Sequence, residues 1–551
     1  MTKFQEKLTE IRTRQEQGIA KQLAEKLNIP FLDLKIFPIE TKALSLVSKE
    51  KSIKAKLAVI QKKDKELFIA VCDPRNPETK STLSELERNN YKIKIFISSL
   101  LGLKRAWTIY NKIQEPKKEE IAGKVKVSKI FFDKLKKEIK NLEDIKRQIE
   151  KIPTDQTSAI VEILLAGGIQ INASDIHLEI AKEKIIIRYR IDGILQDITF
   201  LPVKSYSYIL NKIKLLSGAK LNVHNKAQDG SFAIEFNKIE IQTRVSIIPS
   251  AYGENIVIRI LNPKAINLEL EDLGLRKDHL DTIKREIKKT KGMIITTGPT
   301  GSGKTTLLYS LIKAISKPEV KIITLEDPIE YHLKGITQTQ IETEKGYSSA
   351  SGLRAILRQD PDIVLIGEIR DKETAEIAIQ AALTGHLVLS TLHTNDAAGA
   401  IPRFIDMDAN PSSLSAGLNV IIAQRLVRRL CKECKKAISP SSKQISEMKK
   451  TLEKIKVDYP VIDKKLKIYQ PNPKGCKECN NGYKNRIGIF EMILINEEME
   501  KLINSSPGRI EILEKAQRQD MINFYQDGII KVLQGITSLE EIERATGEYL
   551  E

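Results

Sequence analysis

The segment from residue 293 to residue 306 limits what this chain can fold into more than any other stretch does. It reads M-I-I-T-T-G-P-T-G-S-G-K-T-T, and a helix-forming segment follows it. The spacing of Gly298, Gly303, Lys304 and Thr305 is that of a phosphate-binding loop between a strand and a helix. Glycines let backbone N–H groups approach a polyphosphate, and the amino end of a helix favours an anion. The segment therefore predicts a nucleoside triphosphate site in an α/β domain, and an ordinary Gly/Thr turn is the alternative.

Two side chains of this loop have separate tasks in the predicted site. Lys304 supplies a mobile cation for the β- and γ-phosphates, and the Thr305 hydroxyl offers a ligand to Mg²⁺. ATP and Mg²⁺ are therefore the expected cofactors. The residues that we expect around the phosphates are Gly298, Pro299, Thr300, Gly301, Ser302, Gly303, Lys304, Thr305 and Thr306.

Length and composition indicate a large protein without membrane spans. A chain of 551 residues exceeds what one hydrophobic core supports, so we expect several domains. No apolar run approaches the roughly 18 residues that span a bilayer, and the amino-terminal residues lack the apolar region of a signal peptide. We therefore expect a cytoplasmic protein whose contact with the membrane is peripheral.

The formal net charge of +18 is compatible with binding to nucleic acid or to an anionic membrane surface. Lysines are spread along the whole chain, and aromatic residues make up only 5% of it, so base-stacking platforms are not evident. A lysine-rich solvated surface is therefore favoured over a dedicated nucleic-acid groove.

Changes in composition and periodicity divide the chain into four parts. They are residues 1–112, a small α+β docking or regulatory domain; residues 113–153, a charged linker; residues 154–270, a second α+β domain; and residues 271–551, the ATPase domain, which includes a cysteine-bearing subdomain over residues 428–488. In the first part, Cys72 follows an apolar strand and is interpreted as a buried core thiol. The linker is rich in Lys, Glu and Ile, which indicates a charged helix over residues 130–152.

Four arginines lie within or beside predicted strands of the second α+β domain. They are Arg188, Arg190, Arg244 and Arg259. Each of them alone has an ordinary interpretation as a strand residue that faces solvent. As a set beside an ATP-binding domain, they are candidates for positive charge supplied to the triphosphate from a neighbouring domain or subunit.

Three predicted strands of the ATPase domain each end in polar residues. The strand over 321–325 leads to Glu326 and Glu330, that over 362–366 to Glu368, and that over 387–389 to His393. Because the carboxyl ends of parallel strands meet at one edge of a sheet, we expect these side chains beside the phosphate loop.

The polar residues at this edge suit the chemistry of ATP hydrolysis. We favour Glu368 near Mg²⁺ and the attacking water, and Glu330 as an orienting second carboxylate. Glu326 competes for the water-positioning role, and His393 is a candidate sensor of the γ-phosphate. The alternative is that the carboxylates only cap helices.

Four cysteines form two C-x-x-C pairs, Cys431 with Cys434 and Cys476 with Cys479. In a cytosolic chain this pattern favours a metal over disulfide bonds, and four thiolates suit a closed tetrahedral Zn²⁺ site. The 41 residues between the pairs exceed the usual spacing of zinc ribbons. Free buried thiols are the alternative.

Four motifs of this chain resemble those of one ATPase family. They read G-P-T-G-S-G-K-T-T, I-T-L-E-D-P-I-E-Y, L-R-Q-D-P-D-I-V-L-I-G-E-I-R-D and T-G-H-L-V-L-S-T-L-H-T-N. They look like the Walker A, Asp box, Walker B and His box of the type II secretion and type IV pilus assembly ATPases. The resemblance extends over about residues 155–547 through A-S-D-I-H-L-E, R-Y-R-I-D-G, A-Q-D-G, Q-R-L-V-R-R-L-C and G-I-T-S-L-E-E-I.

This resemblance implies a fold and an assembly. The fold is a RecA-like ATPase domain preceded by a PAS-like α+β N2 domain, with a small N-terminal α+β domain and a zinc-binding insertion. Family members are hexamers that bind ATP between the N2 and RecA-like domains, so the four arginines are implied to contact nucleotide. The resemblance also implies that a homo-hexamer acts on an inner-membrane platform protein to drive pilin addition. The zinc insertion is similar to that of assembly ATPases, whereas retraction ATPases lack it.

Two features depart from the family pattern. The chain has V-H-N-K-A-Q-D-G where relatives usually have Arg-Leu-Pro before Q-D-G, which leaves Lys226 as a substitute for the arginine. No Arg-Leu-Gly motif precedes Leu23, so cyclic-di-GMP is not predicted as a ligand.

Three functions are compatible with these motifs. The first is a motor ATPase for pilus assembly or type II secretion, and the second is a nucleic-acid translocase or helicase. The third is an inactive nucleotide-gated scaffold. The four motifs together with the cysteine pairs favour the motor, and no dedicated nucleic-acid site is predicted.

Overall fold

The computed structural model describes most of the chain, which forms two compact units divided after residue 121. The described ranges are 3–34, 37, 39–63, 66–88, 91–110, 124–126, 138–139, 141–152, 157–236, 239–261, 268–453, 455–463 and 465–547. No helix within these ranges combines the length and the apolar character that a membrane span requires.

The first unit contains a three-stranded sheet in the order β1-β2-β3. Its elements are α1 (Lys3–Leu27), α2 (Thr41–Leu44), α3 (Lys49–Lys54), β1 (Leu57–Lys63), β2 (Glu66–Val71), α4 (Pro77–Arg88), β3 (Lys92–Ile97) and α5 (Leu100–Ile109). β2 pairs antiparallel with β1 and parallel with β3. α4 begins at Pro77, because proline fits the first turn of a helix.

Cys72 is half-buried and packs against a hydrophobic core cluster of this unit. It follows β2 and lines a cavity of about 500 Å³ together with Lys56, Asp73 and Arg75. Partial burial raises the pKa of the Cys72 thiol, and the charge of Lys56 opposes this shift. The thiol therefore lies at the edge of the core and is only half-buried, which corrects the prediction of a buried core thiol.

The described part of the predicted charged linker belongs to the second unit. A helix, α6 (Leu142–Glu150), begins after Asn141, whose side chain accepts a hydrogen bond from the backbone N–H of Asp144 at 3.0 Å. Because this cap starts a new helix, the prediction of one helix over residues 130–152 is wrong here; residues 130–137 lie outside the described ranges. Ile145 and Ile149 are buried in the core of the second unit.

A seven-stranded sheet in the order β4-β8-β9-β10-β5-β6-β7 forms the first part of the second unit. Its elements are β4 (Lys124–Lys126), α7 (Thr157–Gln170), β5 (Asp175–Ile180), β6 (Lys184–Ile191), β7 (Ile194–Pro202), α8 (Tyr206–Ser217), β8 (Gln228–Phe236), β9 (Ile239–Ser250) and β10 (Gly253–Leu261). Along β6, Ile185, Ile187 and Tyr189 are buried. Side chains alternate along a strand, so Arg188 and Arg190 lie on the opposite face. We call this part the middle sheet.

A second seven-stranded sheet, which we call the ATPase sheet, has the order β13-β12-β14-β15-β11-β16-β19. Its strands and helices are α9 (Lys277–Glu286), β11 (Gly292–Thr297), α10 (Lys304–Ile315), β12 (Ile322–Glu326), β13 (Thr337–Gln340), α11 (Ser349–Leu357), β14 (Ile363–Ile366), α12 (Lys372–Leu383), β15 (Leu387–Leu392), α13 (Ala400–Asp406), α14 (Pro411–Gly417), β16 (Leu418–Leu430) and β19 (Tyr483–Leu494). All neighbouring strands are parallel except β16 and β19.

The central strands of the ATPase sheet are buried on both faces. Along β11, Met293 and Ile295 belong to a core with α11 and α12, whereas Ile294 belongs to a core with α9 and α10. Helices therefore cover both sides, which explains why these strands are continuous apolar runs in the sequence.

An insertion and four helices complete the second unit. The insertion between β16 and β19 contains β17 (Lys436–Ile438), α15 (Ser442–Leu452) and β18 (Ile468–Gln470), and the helices after β19 are α16 (Glu497–Ile503), α17 (Arg509–Arg518), α18 (Phe524–Leu533) and α19 (Leu539–Thr546). Apolar residues of these helices, among them Ile512, Ile529 and Ile542, join the core beneath α11 and α12.

Candidate active site and metal centre

The phosphate loop connects β11 to α10 at the carboxyl edge of the ATPase sheet. The φ angles of Gly298, Gly301 and Gly303 are 143°, 80° and 92°, in the region that favours glycine. A Cβ atom at Gly298 would lie 2.4 Å from the backbone oxygen of Gln424, so no larger residue fits there. Lys304 Nζ donates a hydrogen bond of 2.6 Å to the backbone oxygen of Gly298. The lysine is therefore held over the turn, at the start of the helix.

Glu368 and His393 meet beside the phosphate loop. They follow β14 and β15, and His393 Nε2 lies 3.0 Å from Glu368 Oε2. Burial lowers the pKa of Lys304, and the negative charge of Glu368 opposes that shift. The structure therefore brings a lysine, a carboxylate and an imidazole together at one edge of the sheet.

Arg370 is absent from the site residues that the sequence predicts, although it forms an ion pair with Glu368. Its guanidinium is exposed, and the hydrogen bond to Glu368 raises its pKa. The signal for it is its position two residues after Glu368 in the same polar cluster. Arg370 therefore joins Lys304 and His393 as a third basic side chain near the Glu368 carboxylate.

Glu326 is enclosed at the carboxyl end of β12. It is 4% exposed. Its carboxylate accepts hydrogen bonds from Thr324 Oγ1 at 2.6 Å and from Gln338 Nε2 at 3.0 Å. It also accepts a short hydrogen bond from the Tyr309 hydroxyl. These three donors leave Glu326 poorly placed to orient a water molecule, and its position favours a role in holding β12, β13 and α10 together.

Glu330 lies opposite an arginine of the middle sheet. Arg244 Nη1 is 3.1 Å from Glu330 Oε1, and both side chains are about 30% exposed. Arg244 Nη2 also lies 3.5 Å from the backbone oxygen of Ile329. The pair connects β9 to the loop after β12, so one of the four predicted arginines reaches the ATPase sheet.

The other three predicted arginines are paired with acidic residues of the middle sheet. Arg190 Nε and Arg259 Nε lie 3.3 Å and 2.9 Å from the carboxylate oxygens of Asp175. Arg188 Nε lies 3.0 Å from Asp197 Oδ1. The structure therefore separates Arg244 from the rest of the set.

The four paired cysteines converge at the end of the β16–β19 hairpin. The sulfur atoms of Cys431 and Cys476 are 3.8 Å apart, those of Cys434 and Cys479 3.5 Å, and those of Cys476 and Cys479 3.6 Å. All four lie within 4.8 Å of one another. A tetrahedral Zn²⁺ site with Zn–S bonds of about 2.3 Å has sulfur atoms about 3.8 Å apart. The cluster therefore fits a zinc ion bound by four thiolates.

Comparison with known protein families identifies the family of the chain that carries this site. The family model described as "Type II/IV secretion system protein" matches residues 154–544. The chain belongs to the type II/IV secretion system protein family. A second family model, the MshEN domain, matches residues 27–108 in the first unit.

Related proteins are similar to this chain over most of its length. It is 34% identical over 531 residues to the type IV pilus assembly ATPase PilB of Myxococcus xanthus. The aligned residues cover 96% of this chain and 91% of that protein. It is 41% identical over 410 residues to the type II secretion system protein E of Aeromonas hydrophila. The aligned residues cover 74% of this chain and 79% of that protein.

A solved structure supports the fold of the family member. The ATPase DotB of Legionella pneumophila is 22% identical, with a TM-score of 0.50, and the match covers 70% of this chain and 95% of DotB. The predicted fold class is confirmed: a RecA-like ATPase domain with a preceding α+β domain, a small N-terminal domain and a cysteine-bearing insertion.

The predicted function is confirmed at the level of the family. The chain is a secretion and pilus-assembly ATPase of the type II/IV secretion system protein family, and it uses ATP. None of the relatives named here is a helicase or a nucleic-acid translocase, so nothing supports the nucleic-acid alternative.

Proposed function

We propose that this chain forms a homo-hexameric motor at the cytoplasmic side of the inner membrane. It hydrolyses ATP to power type IV pilus assembly or type II secretion, and it acts through an inner-membrane platform protein. The observation that carries the proposal is the convergence of Lys304, Glu368 and His393 beside the glycine-dependent loop. A family member that served only as a scaffold would not need this set of groups at one edge.

The residues of the site have distinct roles in the proposed hydrolysis. The loop over residues 298–306 binds the phosphates, and Lys304 neutralises the β- and γ-phosphates. Thr305 and Glu368 would hold Mg²⁺, which would neutralise part of the negative charge on the transferring phosphoryl group. Glu368 also orients the attacking water, and His393, at 3.0 Å from it, responds to the γ-phosphate.

The middle sheet provides the second half of the proposed site. Residues 154–270 and residues 271–551 act as two bodies, and the first presents Arg244 to the nucleotide. In the structure Arg244 is paired with Glu330, which already lies on the ATPase side. The movement that transfers Arg244 from Glu330 to the phosphates is the mechanical output. We propose that residues 1–112 form a docking or regulatory domain.

Replacing Arg244 with alanine is expected to lower kcat for ATP hydrolysis about a hundredfold, because a cation over the transferring phosphoryl group is lost. The matched control is Arg259→Ala, since Arg259 lies on the adjacent strand and is paired with Asp175. We expect the control to change kcat less than about fivefold. Steady-state hydrolysis assays with both variants check this, and equal losses would show that the arginines act as a set.

The proposed motor is tested by stimulation of its ATPase activity. Purified protein is assayed with lipid vesicles and the cytoplasmic domain of the platform protein, and in parallel with single-stranded and duplex DNA. We expect stimulation by the platform domain, and light scattering should give a hexamer with ATP. Salt-sensitive stimulation by DNA alone would instead support a nucleic-acid translocase.

A further inference from the structure

Residues 394–397, which we call the relay segment, follow His393 directly and contact the strand that leads into the phosphate loop. Thr297, the last residue of β11, donates a hydrogen bond from Oγ1 to the backbone oxygen of Asp396 at 3.3 Å. Thr394 Oγ1 donates to the same oxygen at 2.9 Å. The relay segment is therefore attached at one end to the nucleotide site.

Arg425 connects the relay segment to the last helix of the chain. Its Nη2 lies 3.3 Å from the backbone oxygen of Asn395, and its Nη1 lies 2.7 Å from that of Ala545 in α19. The guanidinium carbon is 4.8 Å from the centre of the Phe524 ring, at the start of α18. The rigid guanidinium fork presents separate N–H donors to the two carbonyl groups, whereas a lysine would carry one ammonium group on a flexible stem.

Glu491 connects the relay segment to α18. Its Oε2 accepts a hydrogen bond from the backbone N–H of Ala397 at 3.1 Å, and its Oε1 accepts one from Phe524 at 3.2 Å. Burial raises the pKa of Glu491 to about 7, and the two backbone donors and Arg425 oppose that rise. Burying a carboxylate costs free energy unless hydrogen bonds compensate for the lost water. The two backbone N–H donors supply such hydrogen bonds to Glu491.

Arg509 connects the relay segment to α17. Arg509 is the first residue of that helix, and its Nε lies 2.8 Å from Asp396 Oδ2. The other carboxylate oxygen, Asp396 Oδ1, accepts a hydrogen bond from the backbone N–H of Gly399 at 2.8 Å. Each of the last three helices, α17, α18 and α19, is thus joined to the relay segment at or next to one of its ends.

We propose that the relay segment couples the nucleotide state at His393 to the three C-terminal helices, with Arg425, Glu491 and Arg509 as positioning residues. The inference rests on the proposed function, since it requires that ATP binds beside His393. A displacement of His393 by the γ-phosphate moves the four residues after it. Because the contacts are at helix ends, the displacement acts on α17, α18 and α19 together.

The test compares Arg425→Lys with the wild-type protein. Hydrogen exchange of the backbone is measured with and without Mg²⁺ and a non-hydrolysable ATP analogue. In the wild type we expect slower exchange both in the phosphate loop and in residues 539–546. In Arg425→Lys the loop should respond as in the wild type, while the response of residues 539–546 should fall at least about twofold. Its kcat should fall about tenfold with KM for ATP within about twofold, because phosphate contacts are kept.

Arg544→Lys is the matched control. Arg544 lies in α19, the helix that Arg425 contacts, and it binds Glu541. Within the described part of the chain it makes no contact with the relay segment. If Arg544→Lys reduces the exchange response and kcat as much as Arg425→Lys does, a general loosening of α19 explains both and the relay is excluded. A wild-type response in the phosphate loop without one in α17–α19 would also overturn the inference. No response in the loop would instead contradict the proposed function.

Discussion

Replacing Glu368 with glutamine is expected to lower kcat for ATP hydrolysis at least about a hundredfold while ATP stays bound. Glu368 is 19% exposed and lies 3.0 Å from His393 Nε2. Glutamine keeps the shape of the side chain but lacks the negative charge that the proposed role requires for holding Mg²⁺ and activating water. Binding of a fluorescent ATP analogue, measured beside steady-state hydrolysis, separates the two effects.

Three further variants test the roles assigned to this site. Lys304→Ala should remove nucleotide binding or turnover, because no other described cation is held over the loop by its backbone oxygens. Glu326→Gln should lower the unfolding temperature more than kcat, because Glu326 is enclosed by Tyr309, Thr324 and Gln338. If Glu330→Gln abolishes turnover while Glu368→Gln keeps most of it, the roles of Glu368 and Glu330 must be exchanged.

Removing zinc is expected to unfold the tip of the β16–β19 hairpin and to leave the ATP site occupied. Zinc bound by four thiolates contributes on the order of ten kcal/mol to small zinc domains at neutral pH. In the double variant Cys431→Ser, Cys476→Ser, residues 431–482 should therefore become sensitive to protease. Elemental analysis should give one zinc per wild-type chain and none in the variant, with ATP binding reduced less than about threefold.

Cys72→Ser is the matched control for this experiment, because Cys72 lies in the first unit and outside the cysteine cluster. It should retain zinc and resist protease as the wild type does. A wild-type protein refolded with zinc that binds none would contradict the assignment. Loss of ATP binding together with zinc would show that the metal supports the phosphate loop as well.

The strands of the ATPase sheet are predictable from the sequence because they are buried on both faces. Continuous apolar runs end at polar residues, and parallel strands place those ends at one edge. The neighbourhood of Glu368 and His393 therefore follows from topology, although their 3.0 Å contact does not. The convergence of four cysteines follows from their paired spacing in the same way.

Partners of charged side chains are not encoded in a local pattern. The four arginines look equivalent in the sequence, but Asp175 and Asp197 bind three of them and leave Arg244 to Glu330. In the sequence Glu326 looks like a catalytic candidate, because two of the side chains that enclose it, Tyr309 and Gln338, lie in other elements and cannot be seen in the local pattern. The prediction of one helix over residues 130–152 is wrong at Asn141. This residue caps the start of a new helix within a run of Lys, Glu and Ile whose composition favours a continuous helix.

The hairpin of β16 and β19 extends beyond the parallel sheet that carries the phosphate loop. β16 last pairs with β11 at Ala423, whereas it pairs with β19 as far as Leu430. Seven further residues of strand span about 23 Å. The four cysteines thus lie at the tip of a lever whose base is beside the phosphate loop. A tilt of about 5° at that base displaces the tip by about 2 Å. Because Arg428 in the lever binds Glu541 of α19, the last helix is carried with it.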